Sequence, residues 1–71
     1  MKDKLLIIGA GGHGKVVADI ALNMNKWKRI AFLDDREIKS SMGIEVIDKS
    51  IDAFKYVNDW DIFVAIGNNE I

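Results

Sequence analysis

The chain opens with an apolar run, Leu5-Leu-Ile-Ile8, and nears its end with another, Ile62-Phe-Val-Ala-Ile66, each without a polar face. Runs of this kind suit parallel strands covered on both sides. Between them, the pattern after Gly12 changes to a helical period. Val16, Val17, Ile20, Ala21 and Met24 recur at three and four residues, which predicts a helix over about 13–23 with that stripe inward. Lys15, Asp19 and Asn23 are left for solvent or ligand, and Asn25 is a stop signal. Lys28–Leu33 reads as a second strand that ends abruptly at Asp34-Asp35.

The polar stretch 36–42, with Ser40-Ser41, reads as a loop, and Ile44–Ile47 as a short edge strand. Ser50 is placed to cap a second helix with Asp52 in its first turn. Ile51 and Phe54, with Val57 or Tyr56, are its expected buried side. Asp61–Ile66 is the last strand, expected to be central, and Gly67-Asn68-Asn69 a turn.

This succession predicts an α/β fold, a small Rossmann-like four-stranded parallel sheet of order 3-2-1-4 flanked by helices, with right-handed crossovers. That order gathers Gly9–Gly14, Asp34-Asp35 and Gly67–Asn69 at the carboxyl edge, where open α/β sheets bind ligands. A last strand buried on both faces needs a covering helix, and only Glu70 and Ile71 follow it. The expectation is therefore a piece of a longer protein, or a partner that covers the open face.

Composition narrows the function classes. With 71 residues, 49% apolar and 30% charged, there is room for one domain with a marginal core. A net charge of −1, with scattered cations, lacks the footprint of a nucleic-acid binder. The absence of Cys removes disulfides and thiolate metal sites, and a single His excludes a His-rich zinc site. The N-terminal apolar run is too short for a signal peptide or a membrane span, so a cytoplasmic location is expected.

The chemistry concentrates in Gly9-Ala-Gly11-Gly12-His13-Gly14, set between a strand and a helix. In such a loop Gly9 permits the tight turn, Gly11 the close approach of backbone N–H groups to a pyrophosphate, and Gly14 close helix–strand packing. The helix dipole points its positive end at the same place. Asp34 follows Gly14 by 20 residues, the interval at which an acidic residue meets a ribose hydroxyl in dinucleotide folds, and its carboxylate suits a ribose or a uracil equally. Asp35 is a second candidate. His13 is placed to donate to a phosphate, and no Ser or Cys pairs with it as a nucleophile. Lys15 is no Walker lysine, since Val16 stands where the hydroxyl belongs. Trp27, Trp60, Phe32, Phe54 and Phe63 read as packing residues.

Three ordered motifs, Ile7–Asp19 with the glycine loop, Phe32-Leu-Asp-Asp35 and Phe63-Val-Ala-Ile-Gly-Asn-Asn69, resemble the N-terminal domain of bacterial sugar O- and N-acyltransferases. That family includes sialic acid O-acetyltransferases and acetyltransferases acting on UDP-linked amino sugars on the way to bacillosamine. The resemblance implies that residues 1–71 form a nucleotide-sugar-binding domain, with a UDP-sugar as ligand and no cofactor of its own. Gly11, Gly12, His13 and Gly14 would face the diphosphate, Asp34 and Asp35 the uridine, and Ala65, Ile66, Gly67 and Asn68 the opposite wall. It further implies that acetyl-CoA is the co-substrate of a full-length parent. The acyl-CoA site, the general-base His and the trimer contacts would belong to a C-terminal left-handed β-helix absent from these 71 residues. This stretch would then bind substrate without catalysing transfer.

Two other readings compete. The glycine loop with Asp34 also fits the NAD-binding half of a Rossmann oxidoreductase or redox-sensing domain, although four strands supply only half of a dinucleotide site. An Asp34–Asp35 pair could instead hold Mg²⁺ in a receiver-like module, for which the chain is too short to hold the remaining acceptor Asp and Lys.

Overall fold

In the computed structural model, which describes residues 2–65, the sheet is five-stranded with order β3-β4-β2-β1-β5. The strands are β1 (Lys4–Ile8), β2 (Arg29–Leu33), β3 (Ser40–Ser41), β4 (Ile44–Asp48) and β5 (Asp61–Val64). The β4-β2-β1-β5 portion is parallel throughout, in the order expected. The fifth strand is a correction. β3 pairs antiparallel with β4 where a loop was expected, because Met42 (φ 57°) and Gly43 (φ 77°) both adopt left-handed backbone and close a two-residue hairpin. Polar Ser40 and Ser41 carry no strand signal of their own.

Alternation along β1 and β2 divides the core into two layers. Leu5, Ile7 and Phe32 face α1 (Gly12–Met24), while Leu6, Ile8, Ala31 and Leu33 face the other side, covered by Trp60, Ala53 and Tyr56. Phe32, Leu6, Ile7 and Leu33 are fully buried, each stabilising the fold by roughly 1.5–3 kcal/mol relative to exposure. α1 ends as expected at Asn25, which takes the left-handed conformation of a helix stop (φ 56°).

The buried face of α1 differs from the predicted stripe. Gly14, Ala18 and Ala21 are buried and Val17 packs at their side, whereas Val16, Ile20 and Met24 are exposed. A Cβ on Gly14 would run into the Gly9 carbonyl, with the Gly9 carbon at 2.9 Å. A helix lying this close to the strand-to-helix turn leaves room beneath it only for small residues. The larger aliphatics are displaced sideways, where Ile20 and Met24 line an apolar groove of about 530 Å³ with Leu5, Trp27 and Phe63.

The second helix is a 3₁₀ turn, Ser50–Lys55, rather than an α-helix, and of the expected buried side only Tyr56, just beyond it, turns inward. Ile51, Phe54 and Val57 are exposed, while Ala53 and Tyr56 pack on the core. Tyr56 wins that place because its hydroxyl donates to Asp48 Oδ2 at 2.9 Å and its ring meets Trp60 edge-on at 6.1 Å. β5 pairs with β1 alone among the described residues, and Phe63 and Val64 are exposed, so the expectation of a central strand does not hold within them. Phe54 and Phe63 are thus surface residues, whereas Phe32 and Trp60 are core as expected. No helix among the described residues is long and apolar enough to cross a membrane.

Candidate functional site

The parallel strands bring their carboxyl ends to one edge. Gly9 N donates to Leu33 O at 2.7 Å, Asp34 N to Asp48 O at 3.0 Å and Ala65 N to Ile8 O at 2.8 Å. The glycine loop, Asp34, Asp35 and Ala65 therefore share that edge, as the strand order implied. Ile66, Gly67 and Asn68, the rest of the predicted opposite wall, lie outside the described residues.

Within the loop the glycines divide the labour. Gly9 turns the chain out of β1 at φ 105°, a region that favours glycine. Gly14 is required by its contact with the Gly9 carbonyl. Gly12 is different: a Cβ there would meet nothing within 4 Å, and one on Gly11 would find only Arg36 Nη2, at 3.8 Å. These two positions border open space. Gly11 occupies the cap position before α1 and offers no side-chain cap, no acidic residue occupies the first turn, and His13 and Lys15 are exposed beside it. Such a helix end offers N–H groups and a positive dipole to an anion.

Asp34 and Asp35 are both tied into the fold, to different partners. Asp34 is buried, and its Oδ2 accepts from Ala10 N (2.7 Å) and Arg36 Nη2 (2.9 Å). Its Oδ1 accepts from Arg36 N (2.8 Å) and Arg36 Nε (2.9 Å). One carboxylate thus fastens the glycine loop to the end of β2. The Arg36 side chain bound to it holds the Asp34 carboxyl well below the usual carboxylate range, outweighing the opposite effect of burial. Asp35 is exposed and accepts from Ser50 N (3.0 Å) and from Ser50 Oγ (2.8 and 2.9 Å). The expected capping role is therefore reversed: Asp35 secures the start of the 3₁₀ helix from across the edge, and Ser50 is the donor. Lys49 Nζ reaches the Asp35 carbonyl at 3.2 Å and Glu37 at 3.4 Å.

Arg36 and Ser50 were not among the expected site residues. The signal for Arg36 was local: an Asp whose carboxylate accepts the N–H two residues on forms an Asx turn, and Asp34-Asp-Arg36 is such a sequence. The two neighbouring acids do not converge on a common point, as a Mg²⁺ pair would, since one faces Arg36 and the other Ser50.

Comparison with known proteins bears on what this edge is for. The family model described as the PglD N-terminal domain matches residues 4–71. The chain belongs to that family. Among solved structures, the domain is similar to the acetyltransferase domain of PglB from Neisseria gonorrhoeae FA1090 in complex with acetyl coenzyme A, with 44% identity and a TM-score of 0.88 over 97% of this chain. A second structure of the same PglB domain matches at 44% identity and a TM-score of 0.87 over 96% of the chain. In both cases the chain spans 34% of the PglB chain's length. The three motifs thus pointed to the right family, that of N-terminal domains of bacterial sugar acetyltransferases.

Proposed function

We propose that this domain binds a nucleotide-linked sugar, a UDP-amino sugar, for an acetyl-CoA-dependent sugar acetyltransferase of bacterial glycan biosynthesis. The observation that carries the proposal is the open, uncapped start of α1 at Gly11 and Gly12, set at the carboxyl edge of a parallel sheet in a PglD-type domain. Gly11, Gly12, His13 and Gly14 surround the diphosphate, which meets the helix N-terminus and the exposed His13. Asp34 and Asp35 bound the uridine side, and Asp35, with acceptor capacity left on Oδ2, is the better placed to take an N–H or O–H of the nucleoside. The family resemblance assigns the opposite wall to Ala65, Ile66, Gly67 and Asn68.

In this reading the base and the acyl-CoA site that acetyl transfer requires belong to another part of a longer parent. The acetyl-CoA-bound PglB structure supports acetyl-CoA as the co-substrate of a longer parent. The C-terminal β-helix transfer domain and the homotrimer of that parent rest on the family resemblance alone. There, a general base takes a proton from the sugar's amine or hydroxyl as it attacks the thioester carbonyl, and coenzyme A leaves as the thiol. The setting is the cytoplasm, where nucleotide sugars and acetyl-CoA are both at hand.

Gly12→Val tests the loop assignment. The side chain enters open space, so the thermal midpoint should stay within a few degrees of wild type, while UDP affinity measured by calorimetry should fall more than about tenfold. Unchanged affinity in the folded variant would remove the diphosphate from this loop.

A further inference from the structure

The Asp34 carboxylate is saturated. An ionised carboxylate offers about four lone-pair sites, and four N–H groups already fill them, one from Ala10 and three from Arg36. A ligand reaching this corner therefore meets the guanidinium that Asp34 holds before it meets Asp34 itself. Arg36 keeps 58% of its side chain exposed although Nε and Nη2 are pinned. Two of its five donors are spent on the carboxylate, and the others remain for a second acceptor. Its position is the telling part, since Nη2 lies 3.8 Å from where a Cβ on Gly11 would stand, at the start of α1. The pinned fork is already ordered, so little rotamer freedom is lost when an anion docks on it. Another cation of this edge, Lys49, is directed to the Asp35 carbonyl and Glu37 instead.

We infer that Arg36 is a specificity-determining residue that recognises the phosphate charge of the nucleotide, and that Asp34 is a positioning residue that holds Arg36 over the glycine loop. The inference rests on the nucleotide-sugar reading of this edge and adds to it the group that separates a charged nucleotide from its nucleoside.

The test is an NMR titration of the full chain with UDP and, separately, with uridine at one ionic strength, for wild type and Arg36→Gln. UDP affinity should fall about tenfold or more in the variant, as expected for a lost charge-assisted contact, while uridine affinity changes less than about twofold. Equal losses for the two ligands mean that Arg36 acts only by shaping the corner, and they overturn the inference. Wild-type binding of UDP with no change in the variant overturns it too, yet leaves the nucleotide-sugar reading standing. A wild type that binds neither ligand defeats both. If Arg36→Gln does not fold, the wild-type Arg36 Nε–H resonance decides: it should move on addition of inorganic pyrophosphate, and a stationary signal counts against the inference.

Discussion

Gly14→Ala should cost at least about 3 kcal/mol and lower the urea midpoint of the domain far below that of wild type. A domain of this length is stable by roughly 4–10 kcal/mol in total, so a loss of that size removes much of it. The cause is geometric. The added Cβ would overlap the Gly9 carbonyl, a backbone group held in place by the hydrogen bond from Gly9 N to Leu33 O at 2.7 Å. Neither partner can yield without lifting α1 off β1 and opening the layer of Ala18, Ala21 and Phe32 beneath it. Gly12→Ala is the matched control: its Cβ meets nothing within 4 Å, and alanine is the better helix former by up to about 1 kcal/mol. Urea denaturation of the two variants should therefore move in opposite directions from wild type. Equal stabilities for both would mean that α1 does not sit on Gly9 as described.

Asp34→Ala should destabilise by about 2–3 kcal/mol, because it leaves the buried Ala10 N–H and the Arg36 N–H without an acceptor and unties the loop from β2. The same carboxylate governs acid stability. Its pKa is lower in the folded than in the unfolded chain, so its contribution is complete above the unfolded value near 3.9 and is lost as the pH falls through the folded value. Asp61, lowered chiefly by the hydrogen bond from Trp27 Nε1 (2.9 Å), acts in the same direction. Thermal midpoints of wild type should thus show no loss from these groups above about pH 5 and should fall steeply below about pH 4. Asp34→Ala should start lower and show a shallower acid decline. An acid limb as steep in the variant as in wild type would place the responsible carboxylate elsewhere.

Much of this architecture is legible along the chain, because the parallel strands are apolar runs and the loop glycines have separate steric duties. The glycine roles expected for Gly9 and Gly14 are those found. The pattern misleads where close packing replaces hydrophobicity as the deciding force. The helical stripe through Val16, Ile20 and Met24 has the larger side chains, yet the near contact at Gly14 admits only Ala18 and Ala21 below. At the end of the 3₁₀ turn, Tyr56, which follows it, packs inward in preference to Phe54 because it alone combines a ring for Trp60 with a hydroxyl for Asp48. The β3 hairpin escapes notice because Met42, in left-handed backbone, is not a residue that advertises a turn. At the site, spacing alone suggests that Asp34 waits for a ligand. The fold shows it already in use, and moves attention to the cation it holds.

The most direct measurement is an amide-resolved NMR titration of this chain with UDP, UDP-N-acetylglucosamine, NAD and CMP, each alone at one salt concentration. The proposed function predicts saturable binding of the two uridine diphosphates, with shifts concentrated at Gly11, Gly12, His13, Gly14, Asp35 and Arg36, and no comparable response to NAD or CMP. Saturable binding of NAD without UDP, or a folded chain indifferent to all four, would contradict it.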